Sequence, residues 1–269
     1  MRIIKNICRK VFSIFGYELL RLSQDRLYYN NFLNLVKAYE HCLNKSQNLI
    51  PPNERRPKLL ARLLGTSPAE AYFIIQSLVK TKDINGSVCE FGVAQGETSA
   101  LIANEILSSD KIFHLFDSFQ GLPKSSIKDQ LKDDIFSLGN IERYAGTMSC
   151  PEKMVRARLK ALSFPLNRFI IHRGFFDQVL RGDVNLPQKV SFAYVDFDLY
   201  EPIKQTLNFL HNITLPGAII IIDDYDFFST GVKTAVDEFL KERNLSNIVY
   251  KCLIPDKIPY GCLAVLTKV

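Results

Sequence analysis

The sequence predicts a doubly wound α/β fold, and three observations carry that prediction. From residue 87 onward, short apolar runs alternate with stretches of helical periodicity, the pattern of parallel strands joined by crossover helices. The apolar runs end in acidic residues or glycine, where such sheets place their loops. The last two runs follow one another with no helical stretch between them. Parallel strands need a long crossover, so this final pair should run antiparallel.

The elements follow in chain order. Residues 2–22 set Ile3, Ile7, Val11 and Ile14 at helical spacing between Arg2, Lys5, Arg9 and Lys10. That is a basic amphipathic helix, suited either to a membrane surface or to packing on the domain or a second subunit. A helical pattern continues over 25–45 until Pro51, Pro52 and Pro57 break it. Thr66-Ser67-Pro68 followed by Glu70 reads as a helix start, with Ser67 as the cap and Pro68 in the first turn, running to about Lys80. Next come a strand over 87–91, a helix over 97–107 and a strand over 111–116 ending at Asp117. Residues 120–148 are polar and irregular, too long for an idle connection. A helix is expected over 151–162 and strands over 169–172 and 190–195. A helix over 202–211, a buried strand over 218–222 and a helix over 231–243 come after them. Strands over 247–253 and 261–267, joined by a loop with Pro255 and Pro259, close the chain. The expected organisation is a helical extension over 1–66 and a catalytic domain over 67–269.

Composition narrows the function. Of 269 residues, 47% are hydrophobic and 23% charged, the balance of a globular chain. No stretch reaches the roughly 18–20 apolar residues of a membrane-spanning helix. Residues 1–66 hold 12 Lys/Arg against 4 Asp/Glu, whereas residues 67–269 hold 22 against 24. The basic excess therefore precedes the domain rather than lining it, which argues against a nucleic-acid partner. The six cysteines form no C-x-x-C pair, so zinc and redox motifs are absent. No small-residue cleavage site follows the basic N-terminus. The expectation is a cytoplasmic protein whose residues 2–22 either touch the inner membrane surface or pack against the domain or a second copy.

Four motifs carry chemistry. In CEFGVAQGETS (89–99) a strand ends at Glu90, and Gly92 and Gly96 bound a turn into a helix. Glycines there let the backbone turn sharply and approach a ligand. Two glycines do not make the three-glycine dinucleotide fingerprint, and Glu90 would repel a pyrophosphate but suit a cation. In LFDSFQGLP (115–123), Asp117 lies 21 residues past Gly96, where an acid can accept from ribose hydroxyls; Asp-Ser is also a common turn pair. YVDFDLYEP (194–202) and IIIDDYDF (220–227) each end an apolar run in carboxylates. Asp196 and Asp223 are 27 residues apart, one strand–helix–strand unit, so they can end neighbouring strands about 4.8 Å apart. Asp196, Asp223 and Asp224 would then repel one another unless protonated or neutralised, and oxygen-only ligands select a hard ion such as Mg²⁺. The alternative is that one or two of these acids cap helices, Asp198 and Asp226 being the candidates. His114 and His172 alternate with apolar strand residues and read as structural.

Taken together, EFGVAQG, FDSFQGLP, DFDLY, IDDY and AVDEF, with Gly174-Phe175-Phe176, resemble the macrocin O-methyltransferase (TylF/MycF-like) family over about residues 68–245. The resemblance implies a seven-stranded Rossmann-like methyltransferase sheet with its last strand antiparallel. It implies S-adenosylmethionine bound by Glu90, Gly92, Gly96, Asp117 and Ser118, and Mg²⁺ held by Asp196, Asp223 and Asp224. It also implies methylation of a sugar hydroxyl in a glycan, glycolipid or glycosylated natural product, and a possible homo-oligomer. Asp196 is a candidate catalytic residue, with the general base open among a cluster carboxylate, a histidine and a loop residue. The alternative is a methyltransferase-fold scaffold, without catalysis, in a membrane-peripheral glycan-assembly complex.

Overall fold

The computed structural model describes residues 50–51, 53–245, 247–257 and 261–269. The patterns expected over 2–22 and 25–45 lie outside them. Helices α1 (Arg56–Leu60) and α2 (Pro68–Lys80) precede the sheet. α2 starts where the sequence places it. Ser67 Oγ accepts the Glu70 N–H at 3.2 Å, and the Glu70 carboxylate accepts the Ser67 N–H at 2.6 Å. This reciprocal cap satisfies two otherwise free donors. Residues on both sides of position 66 share one apolar cluster, Leu60 packing with Ala71, Ile75 and Leu101. Arg56 pairs with Glu105 at 2.5 Å, both side chains buried.

The strands are β1 (Ser87–Phe91), β2 (Phe113–Asp117), β3 (Phe169–Arg173), β4 (Val190–Val195), β5 (Thr214–Ile222), β6 (Tyr250–Leu253) and β7 (Ala264–Lys268). They form one sheet in the order β3-β2-β1-β4-β5-β7-β6. Pairings from β3 through β5 are parallel, and β7 runs antiparallel between β5 and β6. The fold is the expected seven-stranded doubly wound sheet with its last strand reversed. Helices α3 (Glu97–Glu105), α4 (Glu152–Ala161), α5 (Phe176–Gly182), α6 (Tyr200–Ile213) and α7 (Thr230–Arg243) supply the crossovers and layers. Strand residues alternate between two cores. Val88, Leu115, Phe192 and Ile221 face Ile74, Ala103 and Leu159, while Cys89, Phe91, Val195 and Ile220 face Val179, Leu207 and Val236. Strand order reverses between β1 and β4, so the crevice beyond their C-terminal ends is the ligand position for this topology.

Several elements depart from the sequence expectation: β6 and β7 each begin three residues later than expected, and three others differ for identifiable reasons. α5 was not anticipated: its seven residues carry only Phe176 and Val179 as buried anchors, and no side chain caps it. β5 begins four residues early because its pairing with β4 continues past an irregularity to Thr214. α6 begins at Tyr200, ahead of Pro202, because a cap arrives from outside the helix, as described below. Cys89 is buried in β1, whereas Cys262 precedes β7 and is half-buried.

Both strand histidines are structural. His114 Nδ1 lies 2.9 Å from His172 Nε2, and His172 Nδ1 lies 2.5 Å from the Asp183 carboxylate. The His172 ring stacks on Phe116, with centroids 4.2 Å apart. Burial, and then the neighbouring His172, lower the His114 pKa from 6.5 to about 4. The unfolded chain therefore takes up a proton near pH 6.5 that the folded protein refuses until about pH 4. Stability is intact above that window and falls as pH drops through it. The expected loss between pH 7 and pH 5 is about 2 kcal/mol. Urea midpoints of wild type and His114→Asn at both pH values check this. An equal pH dependence in the two proteins would exclude His114 as the source.

Candidate active site

Four turns meet at the C-terminal edge of the sheet, following β1, β2, β4 and β5. Glu90, on β1, is fully buried, and neither carboxylate oxygen has a hydrogen-bond partner among the described residues. Burial, and then the charge of Asp117, hold its pKa well above the carboxylate range. The Ser99 hydroxyl acts in the opposite direction but makes no well-formed hydrogen bond to it. A buried acid with two vacant acceptors is costly unless something cationic or protonic meets it.

The glycines of this turn are also required by packing. Gly92 has φ +86°, and a Cβ there would overlap the carbonyl oxygen of Asp196. Gly96, with φ +83°, caps α3, and its Cα faces Val155 of α4. Between them Ala94 has φ 45°, a conformation rare outside glycine, Asn and Asp. Arg158 of α4 holds the turn, its Nε donating to Gln95 O at 2.6 Å and its guanidinium pairing with Glu97.

Asp117 sits where the sequence places it, but much of its capacity is used. Oδ2 accepts from Val93 N–H at 2.7 Å and Ala94 N–H at 3.0 Å, and Oδ1 accepts from Phe119 N–H at 2.6 Å. A carboxylate offers about four acceptor sites, which leaves one for a ligand. The Ser118 hydroxyl donates to Gly121 O and accepts from Gln120 N–H, which leaves it one acceptor lone pair.

The acidic motifs do converge, and Asp198 joins the acids expected there. Asp196, Asp198 and Asp224 bring carboxylate oxygens within 4.8 Å of one another. Asp223 lies beside them, its charge acting on both Asp196 and Asp224. Tyr194 donates its hydroxyl to Asp223 Oδ2, and Asp223 Oδ1 accepts the Asp224 N–H at 3.0 Å. Asp198 and Asp224 have φ near +60°, a region Asp tolerates, and these turns aim both side chains inward. Burial first, then the charge of Asp223 on Asp196 and Asp224 and of Asp196 on Asp198, hold all three pKa values well above the carboxylate range. An all-oxygen set this close fits a hard divalent cation, whose charge would offset that repulsion.

Neither acid read as a cap is one. The N-cap position of α6 is Leu199, and the carboxylate reaching the helix is that of buried Asp129, whose Oδ1 accepts the Tyr200 N–H at 2.8 Å. Asp226 pairs with Lys132 at 2.5 Å. Asp129 belongs to the long 120–148 segment, which is laced onto the turn after β5. Leu131 bridges Ser229, Lys132 N–H donates to Phe228 O, and Gln130 and Thr230 exchange hydrogen bonds. Ser229 Oγ in turn donates to Asp198 O at 2.9 Å. The segment thus walls the acidic cluster. Asp198 was visible in the D-x-D motif, whereas Asp129 carried no signal, because its partner lies 71 residues away.

The sequence profile of the macrocin-O-methyltransferase family (TylF) matches residues 53–252. Among solved structures, the O-methyltransferase NovP is similar at 18% identity with a TM-score of 0.63, the match covering 89% of this chain and 99% of that one. The calicheamicin methyltransferase CalS11 is similar at 19% identity and a TM-score of 0.57, covering 88% and 91%. A putative O-methyltransferase from Klebsiella pneumoniae is similar at 13% identity and a TM-score of 0.52, covering 82% and 93%. At these identities the structures speak for the fold. The comparison with curated proteins finds no match.

Proposed function

Because the chain belongs to the macrocin-O-methyltransferase family and is thus an S-adenosylmethionine-dependent O-methyltransferase, we propose that it methylates a sugar hydroxyl of a glycan, glycolipid or glycosylated natural product, with Mg²⁺ held at Asp196, Asp223 and Asp224 and Asp198 beside them. One observation carries this reading: the converging carboxylates stand beside the turn that buries an unpartnered Glu90.

Glu90 serves the cationic methionine end of the cofactor, accepting from its ammonium. Asp117 offers its remaining acceptor site to one ribose hydroxyl while fixing the turn over Val93 and Ala94. The acceptor hydroxyl gives its proton to a carboxylate of the cluster, Asp196 being the candidate nearest the donor turn. The oxygen attacks the sulfonium methyl, the S–CH₃ bond breaks, and S-adenosylhomocysteine leaves. The sulfonium is already activated, so the enzyme's task is alignment and deprotonation. When bound, Mg²⁺ would lower the hydroxyl pKa and orient neighbouring sugar oxygens. The 120–148 segment, pinned at Asp129, is held against the start of α6 and the turn after β5.

Placement in the cytoplasm, with residues 2–22 at the inner membrane surface, is part of the same reading and rests on charge pattern alone. Family membership and a complete cluster leave the scaffold alternative without an observation in its favour.

Calorimetry with S-adenosylmethionine, S-adenosylhomocysteine and NAD in parallel tests the cofactor, and only the first two should bind. Asp117→Ala should weaken S-adenosylhomocysteine by about 1.5–3 kcal/mol, the scale of a hydrogen bond to a charged group. Unchanged affinity would remove the ribose assignment.

A further inference from the structure

We propose that Asp129 is a positioning residue for the acid cluster, its carboxylate fixing the turn after β4 against the turn after β5 and docking the 120–148 segment onto both. The role rests on the reading of those acids as a cation site. Asp129 is 5% exposed, and four donors surround its carboxylate. Oδ2 accepts the Ser126 N–H at 2.7 Å and the Ser126 hydroxyl at 2.8 Å. Oδ1 accepts the Tyr200 N–H at 2.8 Å and lies 3.5 Å from Ser229 Oγ. Tyr200 is the first residue of α6, and Ser229 caps α7. One carboxylate therefore stands at the N-terminal ends of the two helices that leave the acid-bearing turns, where negative charge is favoured.

The fit is close. A Cβ on Gly231, in the first turn of α7, would lie 1.8 Å from Asp129 Oδ1 and 2.7 Å from Tyr200 N. Around this point Thr230 exchanges hydrogen bonds with Lys128 and Gln130. Leu199 and Phe228, which flank the two helix starts, are buried with Leu122, Ile141 and Tyr144 of the segment. The turns so joined hold Asp196 and Asp198 on one side and Asp223 and Asp224 on the other. These acids repel one another without a cation, so the turns need an anchor outside the cluster. An acceptor-only carboxylate suits four donors, whereas an amide would set its NH₂ against those on one side. Losing that anchor frees both helix starts and lets the turns separate. None of the bonds to Asp129 comes from the turns after β1 and β2, which serve the cofactor.

The test measures Mn²⁺ binding to the full-length protein from the free-ion signal in electron paramagnetic resonance, with S-adenosylhomocysteine affinity measured alongside by calorimetry. Asp129→Asn keeps the size of the side chain but gives up one acceptor oxygen. It is expected to weaken Mn²⁺ about tenfold, the scale of losing a group that orients ligands from behind. S-adenosylhomocysteine affinity should stay within about threefold, because Glu90 and Asp117 are untouched. Ser126→Ala removes one donor and should shift Mn²⁺ the same way by less; it reads the role if Asp129→Asn does not fold. Asp224→Asn is the control for the cation reading. Mn²⁺ binding lost in Asp224→Asn but unchanged in Asp129→Asn, or in Ser126→Ala where the former does not fold, would overturn the role of Asp129 alone. So would equal weakening of Mn²⁺ and S-adenosylhomocysteine, which is the mark of a merely structural role. Absence of Mn²⁺ binding in the wild type, or its survival in Asp224→Asn, would overturn the cation reading and this role with it.

Discussion

Gly92→Ala is expected to destabilise the protein by about 2–5 kcal/mol and to abolish methyl transfer. Two costs combine. An L side chain at φ +86° is strained, by about 1–2 kcal/mol for a left-handed alanine. The added methyl also overlaps the Asp196 carbonyl, and overpacking of this kind costs about 1–3 kcal/mol. Neither side can yield cheaply. Gly92 N–H donates to Phe116 O at 2.9 Å, and Asp196 N–H donates to Phe91 O at 2.7 Å. Relief must come from separating the ends of β1 and β4, which carry Glu90 and Asp196. Urea unfolding and S-adenosylhomocysteine titration measure the two consequences. Gly139→Ala is the control: its φ is +88°, but nothing lies within 4 Å of the added carbon, so only the backbone penalty should appear. Equal effects at the two positions would mean that the contact between β1 and β4 does not matter.

Asp224→Asn should lower methyl transfer on the order of 10²–10³-fold, the range seen when one charge-stabilising group is lost from a preorganised site. The substitution keeps shape but removes a formal charge and a strong oxygen ligand. Cofactor affinity should survive, since Glu90 and Asp117 are untouched. EDTA should act on the wild type as the mutation does, and Mg²⁺ should restore only the wild type. Asp198→Asn should behave like Asp224→Asn, because its oxygen lies in the same cluster. Full activity in EDTA, or in Asp224→Asn, would remove the cation from the mechanism.

How much of this was legible beforehand differs by element. β1 and β4 fall on the residues expected, because short apolar runs bounded by glycine or acid leave little freedom in where a buried strand begins and ends. α2 was equally clear, since Ser67, Pro68 and Glu70 form a local cap that needs nothing distant. α5 was hidden because seven residues with two buried anchors give too little periodicity to register. The start of α6 was misplaced because its cap, Asp129, comes from another part of the chain.

The sequence by itself determined the class of the fold, the edge of the sheet where ligands gather, and the acids able to gather there. Those depend on periodicity and on residue type at strand ends, which are local properties. The tertiary structure alone decided how the acids meet. Asp223 and Asp224 are adjacent in sequence, yet only the Asp223 carboxylate takes the Tyr194 hydroxyl. The difference comes from a left-handed turn at Asp224 and a hydroxyl supplied by a neighbouring strand. It likewise decided that Gly92 makes room for the Asp196 carbonyl. Contacts between distant segments fix side-chain direction and close approach, and no local pattern encodes them.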